Sequence, residues 1–363
     1  MQPHISLIEK PVNQLAVEAI GLLKKLIAIP SFSREEDKTA NLLFDFMQSK
    51  GIVAQRKLNN ICALNKYCKK GLPTLLLNSH HDTVKPNAGY SLNPFEPIVK
   101  DGKLYGLGSN DAGGALVSLL VTFIYFYDKP NLKYNLIFVA TAEEEVSGEN
   151  GIRTLLPDMG TMDMGIVGEP TQMNLAIAEK GLMVLDCTAY GISGHAAREE
   201  GENAIYKAMK DIEWFRTFQF PKVSEALGKV KMSITVINSG SQHNVVPDRC
   251  HFTVDVRTTD CYTNEDVLEI IRQHVQCEIK PRSTRINSSG ISKEHPLVKA
   301  GTFLGRKTYG SPTTSDQALM NFPTIKVGPG NSARSHTADE FIYLQEIQEG
   351  IDIYIQMLKQ LIE

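Results

Sequence analysis

The sequence predicts an α/β fold, with a mixed sheet flanked by helices, interrupted by an inserted α+β domain. Three observations support this prediction. Apolar segments of strand length alternate with amphipathic helical segments over the first half of the chain, which is typical of a sheet covered on both faces. From about residue 178 the strands alternate apolar and polar positions instead. From about residue 291 the alternation of helix and strand returns.

The first predicted domain begins with two helices. Residues 13–28 and 37–50 place apolar side chains at helical spacing, and Gly51 closes the second helix. The strands that follow are IVAQRK, LLLNSH, NLIFVATA and MGIV, with an apolar helix that begins at GAL between the second and the third. Sites in open α/β sheets form at the carboxyl ends of the strands, so the residues after each strand are candidates for chemistry.

The inserted block is predicted to span residues 177–288. Its strands are MVLDCTAYG, KMSITVINSG and CHFTVDVRTT, and its helices cover 202–218 and 263–276, the second with a capping pattern at its start. Residues 1–176 and 289–363 make up the other domain, which ends in an amphipathic helix over 340–362.

The composition is that of an ordinary globular protein. The chain has 363 residues, of which 42% are hydrophobic and 22% charged, enough for two domains. A net charge of −3 and the lack of basic runs give no indication of nucleic acid as a partner. The apolar stretch near Ala115–Phe126 is too short for a bilayer, and the opening residues show no signal peptide. With six cysteines and no CxxC pair, we expect a cytoplasmic protein with reduced thiols.

Ionisable residues follow the predicted strands or lie in glycine-rich loops at five places. These are His80-His81-Asp82 after LLLNS, Asp111 in GLGSNDAGG, Glu143-Glu144-Glu145 after NLIFVATA, Glu169 in GIVGEPT, and His336 in GPGNSARSHTADE. Each cluster alone has an ordinary interpretation as a turn, a solvated helix face or a helix start. Their joint occurrence at strand ends and loops favours a metal site.

Electrostatics favours cations at these positions. Like charges ~4 Å apart repel by on the order of 4 kcal/mol at an effective dielectric constant near 20, so three consecutive glutamates are costly. Two divalent ions held by two histidines and three carboxylates would offset this repulsion and leave one glutamate free for proton transfer. Mixed nitrogen and oxygen ligands suit zinc better than calcium or magnesium.

The first cluster also suggests how a ligand is oriented. Residues i and i+2 of a strand share a face, so His80 and Asp82 are predicted to lie on one side and His81 on the other. A metal-bound histidine usually donates its second ring N–H to a carboxylate, and Asp82 is placed for that contact.

The segments SHHDTV, GLGSNDAGG, ATAEEEVSG, VGEPT, GHAA and NSARSHTADE resemble the M20 family of di-zinc metallopeptidases and amidohydrolases. This family includes acetylornithine deacetylase, succinyl-diaminopimelate desuccinylase, aminoacylases and carboxypeptidases of the G2 type. The resemblance covers about residues 15–360. It implies a zinc-binding catalytic domain, a lid or dimerisation domain over 177–288, a homodimer, and two Zn²⁺ per subunit, with Co²⁺ or Mn²⁺ as alternatives.

The resemblance also implies roles for the site residues. The implied ligands are His80 and Glu169 for one zinc ion, Glu145 and His336 for the other, and Asp111 as the bridge between them. A cis peptide bond is expected after the bridging residue. Asp82 would orient a ligand, and Glu144 would be the general base. Glu143 stands where many relatives have aspartate.

Five further residues are candidates for substrate binding: His195, Asn244, Arg257, Arg198 and Thr314. By resemblance, His195 would act on the substrate carbonyl, in many relatives at the neighbouring subunit's site. Arg257 would pair with a substrate carboxylate, and Arg198 is an additional cation that could recognise a succinyl group. The alternatives for these residues are a helix cap, a turn, a strand surface or a solvated helix.

ATAEEEVSGENG and GPGNSARSHTADEF resemble acetylornithine deacetylase-type sequences most closely. The expected reaction is hydrolysis of the amide bond of an N-acyl amino acid, N-acetylornithine or N-succinylornithine, in arginine biosynthesis. Succinyl-diaminopimelate desuccinylase and a dipeptidase, aminopeptidase or carboxypeptidase of the same family are alternatives. A non-catalytic scaffold would hold no stoichiometric zinc.

Overall fold

The structure, a computed structural model, describes residues 12–363. The chain divides into two compact units: unit 1 comprises residues 12–177, 291–309 and 315–363, and unit 2 comprises residues 178–290 and 310–314. The insertion predicted over 177–288 has nearly these bounds, but the return of 310–314 to unit 2 was not predicted. The expectation about a signal peptide concerns the opening residues, and residues 1–11 lie outside the described part.

The described residues contain eight α-helices: α1 (Val12–Ile27), α2 (Asp37–Ser49), α3 (Gly114–Phe126), α4 (Ile152–Leu155), α5 (Ala204–Thr217), α6 (Asn264–Arg272), α7 (Pro296–Phe303) and α8 (Leu344–Ile362). The capping pattern at the start of α6 is a capping box between Thr263 and Asp266, as predicted. The helix predicted over 340–362 is wrong in its first residues, because Phe341–Tyr343 form a strand paired with Lys103–Tyr105.

The described strands are β1 (Ala54–Lys57), β2 (Asn60–Leu64), β3 (Thr74–His80), β4 (Ile98–Lys100), β5 (Lys103–Tyr105), β6 (Asn135–Thr141), β7 (Met164–Val167), β8 (Leu175–Glu179), β9 (Met183–Tyr190), β10 (Gly194–His195), β11 (Lys231–Ser239), β12 (Val245–Val246), β13 (Arg249–Arg257), β14 (Glu278–Pro281), β15 (Ser289–Gly290), β16 (Thr308–Ser311), β17 (Thr324–Lys326) and β18 (Phe341–Tyr343).

Unit 1 is built on a mixed sheet in the order β1-β2-β6-β3-β7-β17-β8. Its four central strands β6, β3, β7 and β17 run parallel. Every residue of β3 and β6 is buried. Leu75 and Leu77 pack into the core formed with α1, α3 and α8, whereas Leu76 faces the smaller core beside α4. Helices on both faces explain why these strands read as continuous apolar runs.

The apolar helix α3 is a core element of unit 1. Ser109–Phe126 is long and apolar enough to cross a membrane by length and composition, so the segment is longer than the sequence-based estimate. However, 83% of it is buried inside the protein. Burial of this kind is typical of the central helix of a globular unit.

Unit 2 contains a four-stranded antiparallel sheet in the order β11-β13-β9-β14 and a two-stranded ribbon of β10 and β12. Phe252, Val254 and Val256 of β13 are buried against α5 and α6, while Asp255 and Arg257 between and after them are only partly buried. The alternation predicted for CHFTVDVRTT therefore holds except at Thr253, which is buried as well. Strand β11 lies at the edge of the sheet, so one side of its backbone is unpaired within the sheet.

Candidate metal centre

The parallel strands of unit 1 bring the predicted site residues to one edge of the sheet. His80 is the last residue of β3 and lies opposite Thr141, the last residue of β6. The glutamates at 143–145 follow β6, Glu169 follows β7, and His336 lies in the loop after β17. Since neighbouring parallel strands end at the same edge, these side chains meet although they are far apart in sequence.

The five predicted ligands form two groups that share one carboxylate. His80 Nε2 lies 3.4 Å from Asp111 Oδ1 and 3.6 Å from Glu169 Oε1. His336 Nε2 lies 3.0 Å from Glu145 Oε2 and 3.8 Å from Asp111 Oδ2. Within each group the candidate ligand atoms lie within 4.8 Å of one another. Asp111 therefore presents one oxygen to each group, which is the arrangement of a bridging ligand.

Asp111 lies in a tight turn before α3. The peptide bond from Asp111 to Ala112 is cis, as the resemblance implies. Gly108 has φ of 73°, and a Cβ at Gly113 would lie 2.4 Å from the Gly108 carbonyl oxygen. Both positions thus require glycine, the first for its backbone conformation and the second for the close approach.

Asp82 connects the two strand ends. The His80 ring donates from Nδ1 to the backbone carbonyl of Asp82 at 3.0 Å, and the Asp82 carboxylate lies slightly farther away at 3.4 Å. That carboxylate also accepts the backbone N–H groups of Glu144 at 3.0 Å and Glu145 at 3.2 Å, and the Ser33 hydroxyl at 2.7 Å. Asp82 therefore orients the His80 ring through its backbone carbonyl and the turn that carries the glutamates through its carboxylate.

The three glutamates have different environments. Glu143 has a left-handed backbone with φ of 56°, and its carboxylate accepts from Asn150, which turns it away from the ligand groups. Glu145 contacts His336. Glu144 Oε2 lies 3.9 Å from His80 Nε2. Glu144 is thus beside the ligand atoms without belonging to either group of candidate ligands.

Burial and mutual repulsion shift the carboxyl groups toward protonation. Burial, followed by the charge of Asp111, raises the pKa of Glu169 to about 8 and also raises that of Glu145. Burial, followed by the charges of Glu169 and other carboxylates, raises the pKa of Glu144 well above its usual value. Glu144, Glu145 and Glu169 therefore need positive charge among them to stay ionised.

The histidines respond in the opposite sense. The hydrogen bond to Glu145 raises the pKa of His336 to about 9. Burial acts to lower the pKa of His80, but the carboxylates of Glu144 and Asp111 outweigh it and raise that pKa well above the usual value. Burial acts to raise the pKa of Asp111, and the His80 ring outweighs it and lowers that pKa.

The residues present fit a pair of divalent cations. His80 Nε2 is buried and has no hydrogen-bond partner, although three carboxylates lie within 3.9 Å. A buried nitrogen lone pair that faces carboxylates is the environment of a metal ligand. Two histidines with three carboxylates suit zinc or a related transition metal.

In unit 2 the predicted substrate-binding residues fall into two clusters. His195 lies on β10 opposite Val245, and the carbonyl of Asn244 accepts from Ala196 N at 3.0 Å, so His195 and Asn244 are close neighbours. Both side chains are exposed. Arg198 is exposed as well and lies 3.8 Å from Glu200.

The second cluster surrounds Arg257. Its guanidinium makes two hydrogen bonds to Asp255, at 2.8 and 3.1 Å, and one to the Thr314 hydroxyl at 3.4 Å. Thr314 in turn donates to the Lys180 carbonyl at 3.0 Å. These contacts explain why residues 310–314 belong to unit 2.

Asp316 and Glu340 are buried carboxylates of unit 1 that were not predicted from the sequence. Asp316 accepts from Asn78 Nδ2 at 3.0 Å and from Thr141 Oγ1 at 2.7 Å, and Glu340 accepts backbone N–H groups of the turn that carries Asp111. Asp316 lies two residues after Thr314, and Glu340 lies four residues after His336. The run of hydroxyl residues at 313–315 was the available signal for Asp316, whereas the sequence around Glu340 carries none.

Comparisons with known proteins identify the family. A family model described as Peptidase family M20/M25/M40 matches residues 76–360. Acetylornithine deacetylase from Proteus mirabilis (strain HI4320) is 27% identical over 379 residues, covering 94% of this chain and 96% of the relative.

Solved structures show the same fold. A tripeptidase from Staphylococcus aureus subsp. aureus Mu50 superposes with a TM-score of 0.78 at 20% identity, covering 95% of this chain and 98% of that one. The YXEP protein of Bacillus subtilis, a dinuclear metal-binding peptidase, superposes with a TM-score of 0.72 at 16% identity over the same shares.

Proposed function

Because this chain belongs to peptidase family M20/M25/M40, whose members bind a dinuclear metal centre, it is a metal-dependent hydrolase of amide or peptide bonds, and we propose that it deacylates an N-acyl amino acid. The observation that carries the proposal is the pair of ligand groups that share Asp111, with Glu144 beside them.

We propose N-acetylornithine or N-succinylornithine as the substrate, within arginine biosynthesis in the cytoplasm. The support is the similarity to acetylornithine deacetylase along nearly the whole of both chains. Succinyl-diaminopimelate and di- or tripeptides are the competing substrates in the experiment below.

The residues present would hold two divalent ions, which we propose to be zinc. One would lie between His80, Asp111 and Glu169, and the other between Asp111, Glu145 and His336. Bound there, the ions supply Lewis acidity and lower the pKa of a water molecule.

Glu144 moves the proton in the proposed reaction. Its carboxylate accepts a proton from the attacking water and delivers it to the amine that leaves. The backbone N–H of Glu144 is held by Asp82, which keeps the carboxylate beside the ligand groups.

The substrate contacts are proposed for unit 2. His195 would stabilise the negative charge that develops on the carbonyl oxygen. Arg257 would pair with the substrate carboxylate, and its two bonds to Asp255 hold the guanidinium plane in place. We assign Asn244 and Thr314 to binding as neighbours of these two residues, and Arg198 to recognition of a succinyl carboxylate.

We further propose a homodimer formed through unit 2. Strand β11 is a sheet edge nine residues long, and Val236 and Ile237 on it are about half exposed. Tyr206 and Met209 of α5 add exposed apolar surface. A long apolar edge of this kind is a surface that proteins usually cover.

Release of free amine from a panel of substrates tests the function. The panel contains N-acetyl- and N-succinylornithine, succinyl-diaminopimelate, a dipeptide and a tripeptide, each with and without added Zn²⁺. We expect metal-dependent release from an N-acylornithine. Turnover of the peptides alone would contradict the substrate proposal, and release unaffected by complete metal removal would contradict the mechanism.

A further inference from the structure

A buried carboxylate lies directly behind Asp111. Glu340 is 2% exposed and is the residue just before β18. It belongs to neither group of candidate ligands. A buried carboxylate is costly unless it is hydrogen-bonded or compensated by positive charge.

The Glu340 carboxylate accepts three backbone N–H groups from a single turn. Oε1 accepts from Asn110 N at 2.8 Å and from Asp111 N at 2.9 Å, and Oε2 accepts from Gly108 N at 3.0 Å. The Glu340 carbonyl accepts a fourth, from Gly106 N at 3.0 Å. One residue thus holds the backbone from Gly106 to Asp111.

This turn needs an external acceptor. Asp111 has φ of −119° and ψ of 100°, and Gly108 has φ of 73°, so neither has helical geometry although α3 begins at Gly114. N–H groups ahead of a helix have no partner within it and require an acceptor from elsewhere. Burial and the charge of Asp111 raise the pKa of Glu340 to about 8, and the three backbone donors act against this shift. In the ionised form of Glu340, each of these bonds is stronger than a neutral one.

We propose that Glu340 is a positioning residue for the metal pair. It fixes the Asp111 backbone so that Oδ1 faces His80 and Oδ2 faces His336. Its segment also carries His336 four residues earlier, so the same stretch of chain supplies a ligand and orients the bridge. The inference rests on the metal pair of the proposed function and adds a residue to it.

Zinc binding by Glu340→Gln tests the proposal. The glutamine places an NH₂ group against one of the three backbone donors, so the turn loses an acceptor and the charge. Each protein is stripped with a chelator and titrated with Zn²⁺ alone, measured by calorimetry. We expect two ions per wild-type chain, and at least tenfold weaker binding of one or both ions by the variant.

Two further measurements separate positioning from a general loss of stability. Hydrogen exchange of the Gly108, Asn110 and Asp111 amides is expected to be faster in Glu340→Gln, and the absorption spectrum of the Co²⁺-loaded protein to change. Glu340→Asp keeps the charge but shortens its reach. We expect it to weaken Zn²⁺ binding as well, and it serves for the comparison if the glutamine variant does not fold.

Asp339→Asn is the matched control. The Asp339 carboxylate accepts from Ser91 N and Leu92 N, both at 2.9 Å. It therefore anchors the segment that carries His336 and Glu340, but it does not bind the backbone of Asp111. We expect normal Zn²⁺ binding in this variant, and equal losses in both variants would overturn the inference. Wild-type affinity and amide exchange in Glu340→Gln would also overturn it, whereas a wild-type chain that binds no zinc would overturn the proposed function too.

Discussion

Glu144 and Glu145 are adjacent in sequence but meet different groups. The Glu145 carboxylate contacts His336 at 3.0 Å, while the Glu144 carboxylate lies 3.9 Å from the His80 ring. Neighbouring residues of a short turn point in different directions, so one can be a ligand and the other a base. The distinction between them could be inferred from resemblance, but not from three identical letters.

Glu144→Gln is expected to lower turnover by about 10²–10⁴-fold or more, because the amide cannot accept the proton from water. Zinc stoichiometry should stay at the wild-type value, since the residue belongs to neither ligand group. Steady-state kinetics with metal analysis measures both. Glu149→Gln, an exposed position after the same strand, is the control. A near-normal rate in Glu144→Gln would remove the assignment of the base.

His81 makes stability depend on pH. Burial lowers its pKa to about 4, while the unfolded value is near 6.5. Below pH 6.5 the unfolded chain therefore binds a proton that the folded chain does not, and stability falls as pH falls from 6.5 toward 4. The full effect is about 3 kcal/mol in the free energy of unfolding.

His81→Asn removes this titration. The variant also loses ring contacts to Thr39 and the Asn59 carbonyl, so it should be less stable at pH 7. Because its stability falls less steeply on acidification, we expect the two unfolding curves to converge toward pH 4. Urea denaturation of the chelator-treated proteins between pH 4 and 7 measures the difference in unfolding free energy between wild type and variant. A difference that stays constant with pH would refute the prediction.

Site residues could be predicted where a local sequence pattern marks them. They could not be predicted where their hydrogen-bond partners are distant in sequence. His80 and Glu169 directly follow apolar strands, so their place at the sheet edge follows from a local pattern. Glu340 binds backbone N–H groups about 230 positions earlier in the chain. No local pattern marks such an acceptor, because the donors are present in every residue.

At the level of elements, Asp316 forms hydrogen bonds to the ends of two neighbouring strands, β3 and β6. It accepts from Asn78 of β3 and Thr141 of β6, two and three residues from His80 and Glu144 respectively. Removing a buried acceptor leaves its donors unsatisfied, at a cost of about 1–3 kcal/mol.

Asp316→Ala is therefore expected to lower the free energy of unfolding by about 2 kcal/mol or more, and to raise KM or lower kcat as the strand ends loosen. Asp316→Asn retains an oxygen that can serve both donors, so its loss should be smaller. Denaturant unfolding measures the loss of unfolding free energy in each variant. Equal losses in Asp316→Ala and Asp316→Asn would show that the charge matters more than the shared acceptor.

The long central elements were predicted more accurately than the short ones. Apolar runs of three residues (LLL) and five residues (LIFVA) identified β3 and β6, and the helical period identified α1, α2 and α5. The strand Phe341–Tyr343 was assigned to a helix because its apolar residues continue the pattern of α8. Three residues do not show a period, and their pairing with β5 is set by tertiary contacts.

For the whole molecule, the division into two units followed from the change in strand character near residue 178. The five residues 310–314 could not be placed in this way. They join unit 2 through individual hydrogen bonds, such as that from Thr314 to the Lys180 carbonyl, and not through a periodic pattern.

The proposed dimer is tested by Ile237→Lys. Placing a charge on the exposed edge of β11 should disfavour pairing with a second copy. We expect wild type to have the molar mass of a dimer by light scattering and the variant that of a monomer. Val223→Lys changes a residue of similar exposure outside β11 and α5, and should leave the mass unchanged. A monomeric wild type would reject the dimer.

The two histidines of the metal centre differ greatly in solvent exposure. The His80 side chain is 1% exposed, and the His336 side chain is 54% exposed. The metal ion bound by His336 should therefore exchange with ions in solution far faster than the metal ion bound by His80. Graded dialysis against a chelator is expected to extract one equivalent of metal early, together with activity, and the other only slowly. Loss of both metal equivalents at the same rate would contradict this prediction. Stepwise loss would make the activity depend on the concentration of free divalent metal.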